Sequence, residues 1–208
     1  TTGGDSDPEL IDAVKAGRLS EELLDRRVDE LLDVILSVTR AVKPLEGKPF
    51  DIDAHHAMAA RASEQSIVLL KNEGNILPLK KGVKVAVIGE FAQKARYQGA
   101  GSSVVNPTKL DNAMDVIKNF DLDVVGFEPG YPRSGKGDPA MRAQAVELAK
   151  KADVVLLYIG LDEISEAEGL DRSHMRLAQS QVELIEAVAE ANPNVVAVMS
   201  AGSAVEMP

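Results

Sequence analysis

Val85-Ala86-Val87-Ile88-Gly89 is the stretch that decides the fold. An unbroken apolar run of this length is the mark of a strand covered on both faces, since a strand with one wet face would alternate. Comparable runs follow at Asp123-Val124-Val125-Gly126-Phe127, at residues 153–160 and at Asn194-Val195-Val196-Ala197-Val198-Met199. Between them, residues 112–120, 139–151 and 179–191 carry helical patterns. Strands alternating with helices predict an α/β fold: a mostly parallel sheet with helices on both faces and right-handed crossovers.

Upstream of the first strand the pattern is helical. Leu24, Val28, Leu31, Leu32, Ile35 and Val38 recur at helical spacing behind Ser20-Glu21-Glu22, where the Ser20 hydroxyl suits an N-cap and the acids suit the positive end of the dipole. A shorter helix, residues 7–16, carries Leu10, Ile11 and Val14 and ends at Gly17. Together they form a helical pair with an apolar face that needs a partner. Residues 44–53, with Pro44, Gly47 and Pro49, read as a linker. A second apolar-periodic segment runs over 55–71, and its end, Ser66-Ile67-Val68-Leu69-Leu70, fits helix or strand.

Composition excludes several classes. Among 208 residues there is no cysteine, so neither a disulfide framework nor a thiolate metal site is expected. His55, His56 and His174 are too scattered for a histidine metal cluster. A formal charge of −10 and 3% aromatics argue against a nucleic-acid partner, and the charge argues against an anionic membrane surface. No apolar run reaches the length of a membrane span. The first residues lack a basic start and an apolar core, so they do not read as a signal peptide. Both ends read as cuts through a longer polypeptide. The expected compartment is the cytoplasm, with a secreted or periplasmic parent left open.

The chemistry is expected in the loops that follow the strands, because open α/β sheets place their sites at the carboxyl ends of strands. After the first strand comes Glu90-Phe91-Ala92, not a glycine fingerprint, which argues against dinucleotide binding. Further on, Arg96-Tyr97-Gln98-Gly99-Ala100-Gly101-Ser102-Ser103 is a glycine-rich loop able to offer Arg96, Ser102 and Ser103 to a small polar ligand. After the third strand, Glu163-Ile164-Ser165-Glu166-Ala167-Glu168-Gly169-Leu170-Asp171-Arg172 brings several carboxylates to one loop. A carboxylic acid there serves as a proton donor if its surroundings raise its pKa. Glu168, beside a glycine, has the space; Glu163 and Glu166 are expected to be solvated, Asp171 and Arg172 to pair with each other, and His174 to lie at the surface. Gly202-Ser203 follows the fourth strand at the same end.

In order along the chain, Ser66 to Gly74 with Leu77-Pro78-Leu79, Val85 to Gly89 with Gln98 to Ser102, Glu166 to Arg172, and residues 181–189 with 194–208 resemble glycoside hydrolase family 3, the β-glucosidase-like exo-glycosidases. The ordered set spans nearly the whole chain and is far more specific than any single piece. The resemblance implies that residues 1–43 are the last helices of a (β/α)8-type barrel domain, 44–53 a linker, and 54–208 an α/β sandwich lacking its last strands. It implies retaining hydrolysis of terminal β-linked sugars through a covalent glycosyl-enzyme, with an aspartate nucleophile on the barrel and a glutamate on the sandwich as acid and then base. By motif position that glutamate is Glu168, and Ser102 is the serine that reaches the sugar. No metal or organic cofactor is implied.

The implied partners are a β-glycoside or oligosaccharide and the barrel of the same polypeptide. The chain alone is expected to be inactive, and its uncovered faces leave a homo-oligomer possible. Ala178 departs from the family pattern, standing where a proline is usual before the helix. Outside the family, the competing reading is a non-catalytic Rossmann-like or flavodoxin-like module for a small ligand.

Overall fold

The computed structural model describes residues 6–102, 104–134 and 136–207. It divides into two compact units, residues 1–55 and 56–208. The first unit holds helices α1 (Asp7–Lys15) and α2 (Glu21–Val42) and a 3-10 turn at Lys43–Leu45. Ser20 caps α2 by accepting a hydrogen bond from the Leu23 amide at 3.2 Å. Neither α1 nor α2 buries a residue; Leu31 is 61% exposed and Val34 60%, so the apolar stripe of α2 stands uncovered among the described residues.

Helix α3 (Ile52–Ser66) spans the boundary between the units. It ends where the sequence was ambiguous. Ile67 to Leu70 belong to neither helix nor strand and stand 63–75% exposed, so the apolar-periodic segment stops short of residue 71.

The second unit is built on strands β1 (Lys84–Ile88), β2 (Asp123–Glu128), β3 (Val154–Gly160) and β4 (Val195–Ser200). All pairings are parallel, in the order β2-β1-β3-β4. In a strand, alternate residues face opposite sides. Ala86, Ile88, Val155, Leu157 and Ile159 accordingly pack beneath α5 (Pro139–Ala149) and α6 (Gln179–Ala191), through Ala145, Leu148, Leu184 and Val188. Val85, Val87, Val154 and Leu156 face the other side, against Ile76, Leu79, Ala92, Met114 and Ile117. The helix expected over 112–120 is shorter: α4 (Ala113–Val116), capped by Asn112, gives way to a 3-10 turn at Ile117–Asn119. Both faces are thus covered at the central strands β1 and β3, whereas the edge strand β4 leaves Ala197 and Val198 exposed despite its continuous apolar run.

Strand order fixes where a site can form. From β1 the chain moves to one side for β2, then crosses to the other side for β3 and β4. The switch point lies between β1 and β3, and open α/β sheets place their sites there, at the carboxyl ends of the strands. Among the described residues, no helix is long and apolar enough to cross a membrane.

Candidate active site

The loop after β3 is fastened by its own carboxylates, each to a different place. Glu163 receives the guanidinium of Arg133, from the loop after β2, through Nε at 3.1 Å and a second contact from Nη2. Arg133 also donates to the Lys94 carbonyl at 2.7 Å and lies 4.9 Å over the Phe91 ring, which fixes its plane. Glu166 receives Arg96, from the loop after β1, the Gly202 amide at 2.9 and 3.0 Å to its two oxygens, and the Ser203 hydroxyl at 2.6 Å. Glu168 receives the Ser102 amide at 3.1 Å and the Ser102 hydroxyl.

Backbone bonds join the same two loops. The Ala100 amide donates to the Glu163 carbonyl at 3.2 Å, and the Glu168 amide donates to the Ala100 carbonyl at 3.0 Å. This close approach explains both glycines of the serine loop. A Cβ at Gly99 would stand 2.5 Å from the Glu166 carbonyl oxygen; one at Gly101, where φ is +111°, would stand 2.8 Å from Glu168 Cβ. Gly99 and Gly101 thus let the backbone lie against the acidic loop.

Electrostatics separates the carboxylates. The hydrogen bond from the Arg133 side chain holds Glu163 below the ordinary glutamate range. Burial pushes Glu166 upward, but hydrogen bonds from Ser203 and Gly202 and the charges of Arg96 and Arg172 outweigh it, so the net shift is downward. Glu168 is fully exposed, and the two hydrogen bonds from Ser102 hold it low as well. As it stands, the loop presents an ionised Glu168, an acceptor rather than a donor of protons.

Several expectations are corrected. Glu163 and Glu166 are not solvated: the Glu166 side chain is 10% exposed and both are ion-paired. Arg172 does not pair with Asp171; it donates to Ser203 Oγ at 2.8 Å and the Ala204 carbonyl at 2.6 Å, fixing the loop after β4. The Arg96 side chain, expected at the ligand's rim, is 10% exposed and turned onto Glu166. Ser103, expected beside Ser102, lies outside the described residues. His174 is exposed, as expected. Arg133 carried no sequence signal, because nothing in the loop after β2 marks it as a partner for a residue thirty positions later. Among the described residues, no group of three or more His, Cys, Asp and Glu could hold a metal ion.

Fold and loops together define a doubly wound α/β domain that presents a carboxylate–hydroxyl pair at its switch point. Residues 67–208 match the model of the glycosyl hydrolase family 3 C-terminal domain, and the chain belongs to glycoside hydrolase family 3. Thermostable beta-glucosidase B of Acetivibrio thermocellus is 43% identical over all of this chain, which covers 28% of that protein. The exo-alpha-(1->6)-L-arabinopyranosidase of Bifidobacterium breve is 41% identical over 96% of this chain and 28% of its own length. The crystal structure of Bifidobacterium adolescentis GH3 beta-glucosidase superimposes with a TM-score of 0.83 at 41% identity, over 96% of this chain and 29% of that one. The chain therefore spans less than a third of the length of these relatives.

Proposed function

We propose that this chain supplies the acid/base half of a retaining exo-glycosidase acting on terminal β-linked sugars, with Glu168 as the acid/base. The observation that carries the reading is the contrast within one loop. Glu166 has both oxygens occupied by donors, whereas Glu168 is exposed and engages Ser102 through a single oxygen, leaving the other open among the described residues. A group that exchanges protons with a leaving oxygen needs such an open lone pair.

An ionised glutamate does not protonate anything. Glu168 becomes an acid when a second carboxylate and an apolar or sugar-filled surface face it, because a like charge and desolvation both raise a carboxyl pKa. In a retaining pair the two carboxyl groups stand about 5–5.5 Å apart, close enough for this coupling. The proposal places that second carboxylate, the nucleophile, on a barrel domain of the same polypeptide, of which residues 1–43 are the last helices, with 44–53 as linker and 54–208 as sandwich. Ser102 would hold Glu168 in register and, with Ser103, meet the sugar; Arg96 acts in this reading through Glu166. No cofactor enters the reaction.

The relatives' names include both a glucosidase and an arabinopyranosidase at nearly equal identity. Glucoside is the proposed substrate, and the sandwich does not by itself choose between the two. The proposed compartment is the cytoplasm, with the periplasm or exterior as the alternative. Self-association of the isolated chain through the uncovered α2 stripe belongs to the same proposal, and a monomeric mass by light scattering at high concentration would remove it.

The test compares wild type with Glu168→Gln in a polypeptide that joins this chain to its parent's upstream segment. Loss of the acid is expected to slow a poor leaving group by about 10²–10⁴-fold and an activated aryl leaving group much less, since a good leaving group needs little protonation. Equal activity of the two proteins on both substrates would remove Glu168 from the mechanism. The chain alone is expected to give no sustained turnover of an aryl β-glucoside.

A further inference from the structure

We propose that Glu166 is a positioning residue for the proton donor: gripped from the loops after β1 and β4, it holds the acidic loop where Glu168 meets Ser102. The inference rests on the reading of Glu168 as acid/base and deepens it.

Two side-chain rungs connect the same pair of loops. Arg96 to Glu166 is one and Ser102 to Glu168 is the other, with the Ala100 backbone bonds between them. They differ in what secures them. Arg96 and Glu166 are each 10% exposed, and Glu166 also takes the Gly202 amide and the Ser203 hydroxyl. Charge-assisted bonds shielded from water hold geometry well. Ser102 and Glu168 are both exposed, so water competes for their contact. The buried rung therefore determines whether the exposed one forms. Glu166 also brings in the β4 loop, whose Ser203 accepts from Arg172, closing a ring of contacts around Glu166 that does not touch Glu168 itself.

The experiment follows the Glu168 carboxyl through a pH titration by carbon-13 NMR in this 208-residue chain. Other titratable or charged groups on the loops around it include Asp162, Glu163, Asp171, Arg172, His174 and Arg176 on its own loop, Glu90, Lys94 and Arg96 after β1, Arg133 after β2 and Glu206 after β4, all of which remain in Glu166→Ala. In that variant Ser102 is expected to release Glu168, moving its midpoint up toward the ordinary glutamate range. Ser102→Ala removes the hydroxyl bond alone and is expected to move the midpoint in the same direction, with the Ser102 amide bond left in place. A through-space role for Glu166 has the opposite sign: losing a negative neighbour lowers the midpoint. A midpoint that is lower or unchanged in Glu166→Ala overturns the proposal.

Removing Glu166 leaves the Arg96 guanidinium buried without its carboxylate, which can unfold the domain. Glu166→Met combined with Arg96→Met replaces the buried pair by apolar side chains, and its Glu168 midpoint is expected to rise in the same way. The titration does not depend on catalysis. If Glu168 proves non-catalytic, the leaving-group comparison fails while the titration shift stands; if only the positioning role is wrong, the reverse holds.

Discussion

Gly101 shows how little room the site leaves at the residue scale. Its φ of +111° disfavours any side chain, and an added Cβ would meet Glu168 Cβ at 2.8 Å. Gly101→Ala is expected to cost about 1–3 kcal/mol in local strain and to separate Ser102 from Glu168. The separation would appear as a rise in the Glu168 titration midpoint, and an unchanged midpoint would show that the loop accommodates the methyl elsewhere. Gly169 offers a contrast. Its φ is +77° but nothing lies within 4 Å of an added Cβ, so the glycine after Glu168 serves the backbone turn and not a contact. The space expected beside Glu168 is real, yet it opens to solvent.

At the scale of elements, α6 is keyed to β3 by one buried amide. Gln181, 3% exposed, donates to the Gly160 carbonyl at 2.8 Å and accepts from the Gly160 amide at 2.9 Å. It satisfies both backbone groups of the last residue of β3, immediately before the acidic loop begins. Gln181→Leu would leave both groups unpaired, at about 1–3 kcal/mol each. A drop in the urea midpoint without a change in slope is the expected result; a neutral outcome would mean that water takes the amide's place. Asn192 does comparable work at the other end of α6, donating to the carbonyls of Ala149 and Ala152 at 3.0 and 2.8 Å.

Neither amide was legible from the sequence, because a polar residue on a helix reads as exposed until its neighbours are known. The strands were legible as four apolar runs, although burial on both faces holds only for β1 and β3. Three of the four helix-like stretches from residue 55 onward were also legible in kind, although residues 112–120 form a shorter helix than their periodicity implied. Glu168 and Ser102 were singled out by motif, and the structure brings their side chains together. The partners of Glu163 and Glu166 were not, because ion pairs between loops leave no periodic trace.

At the scale of the whole molecule, the fastening carboxylates make stability depend on acid. Glu163 and Glu166 have folded-state pKa values below the ordinary glutamate value of about 4.5. Their contribution is present above that value and is lost as pH falls through the depressed folded values. Urea midpoints measured from neutral pH downward are expected to stay nearly level and then to fall steeply below about pH 4.5. Glu163→Gln should flatten that fall, since one of the groups that must be protonated is gone. An equally steep fall in the variant would place the acid sensitivity on other carboxylates. Within this unit the sheet would outlast the loop, because the sheet's core is apolar and does not titrate.

The backbone bonds at Ala100 have a consequence for how such sites are surveyed. The Ala100 amide and carbonyl join the two loops while its side chain takes no part. Alanine scanning skips the position by definition, and chemically diverse side chains there would pass as neutral wherever they fit. What matters at Ala100 is an N–H, so the informative change is proline, which lacks one. A mutational map built from side-chain deletions would credit Arg96, Ser102, Glu166 and Glu168 with the entire arrangement and leave unmarked the residue on whose main chain the two loops meet.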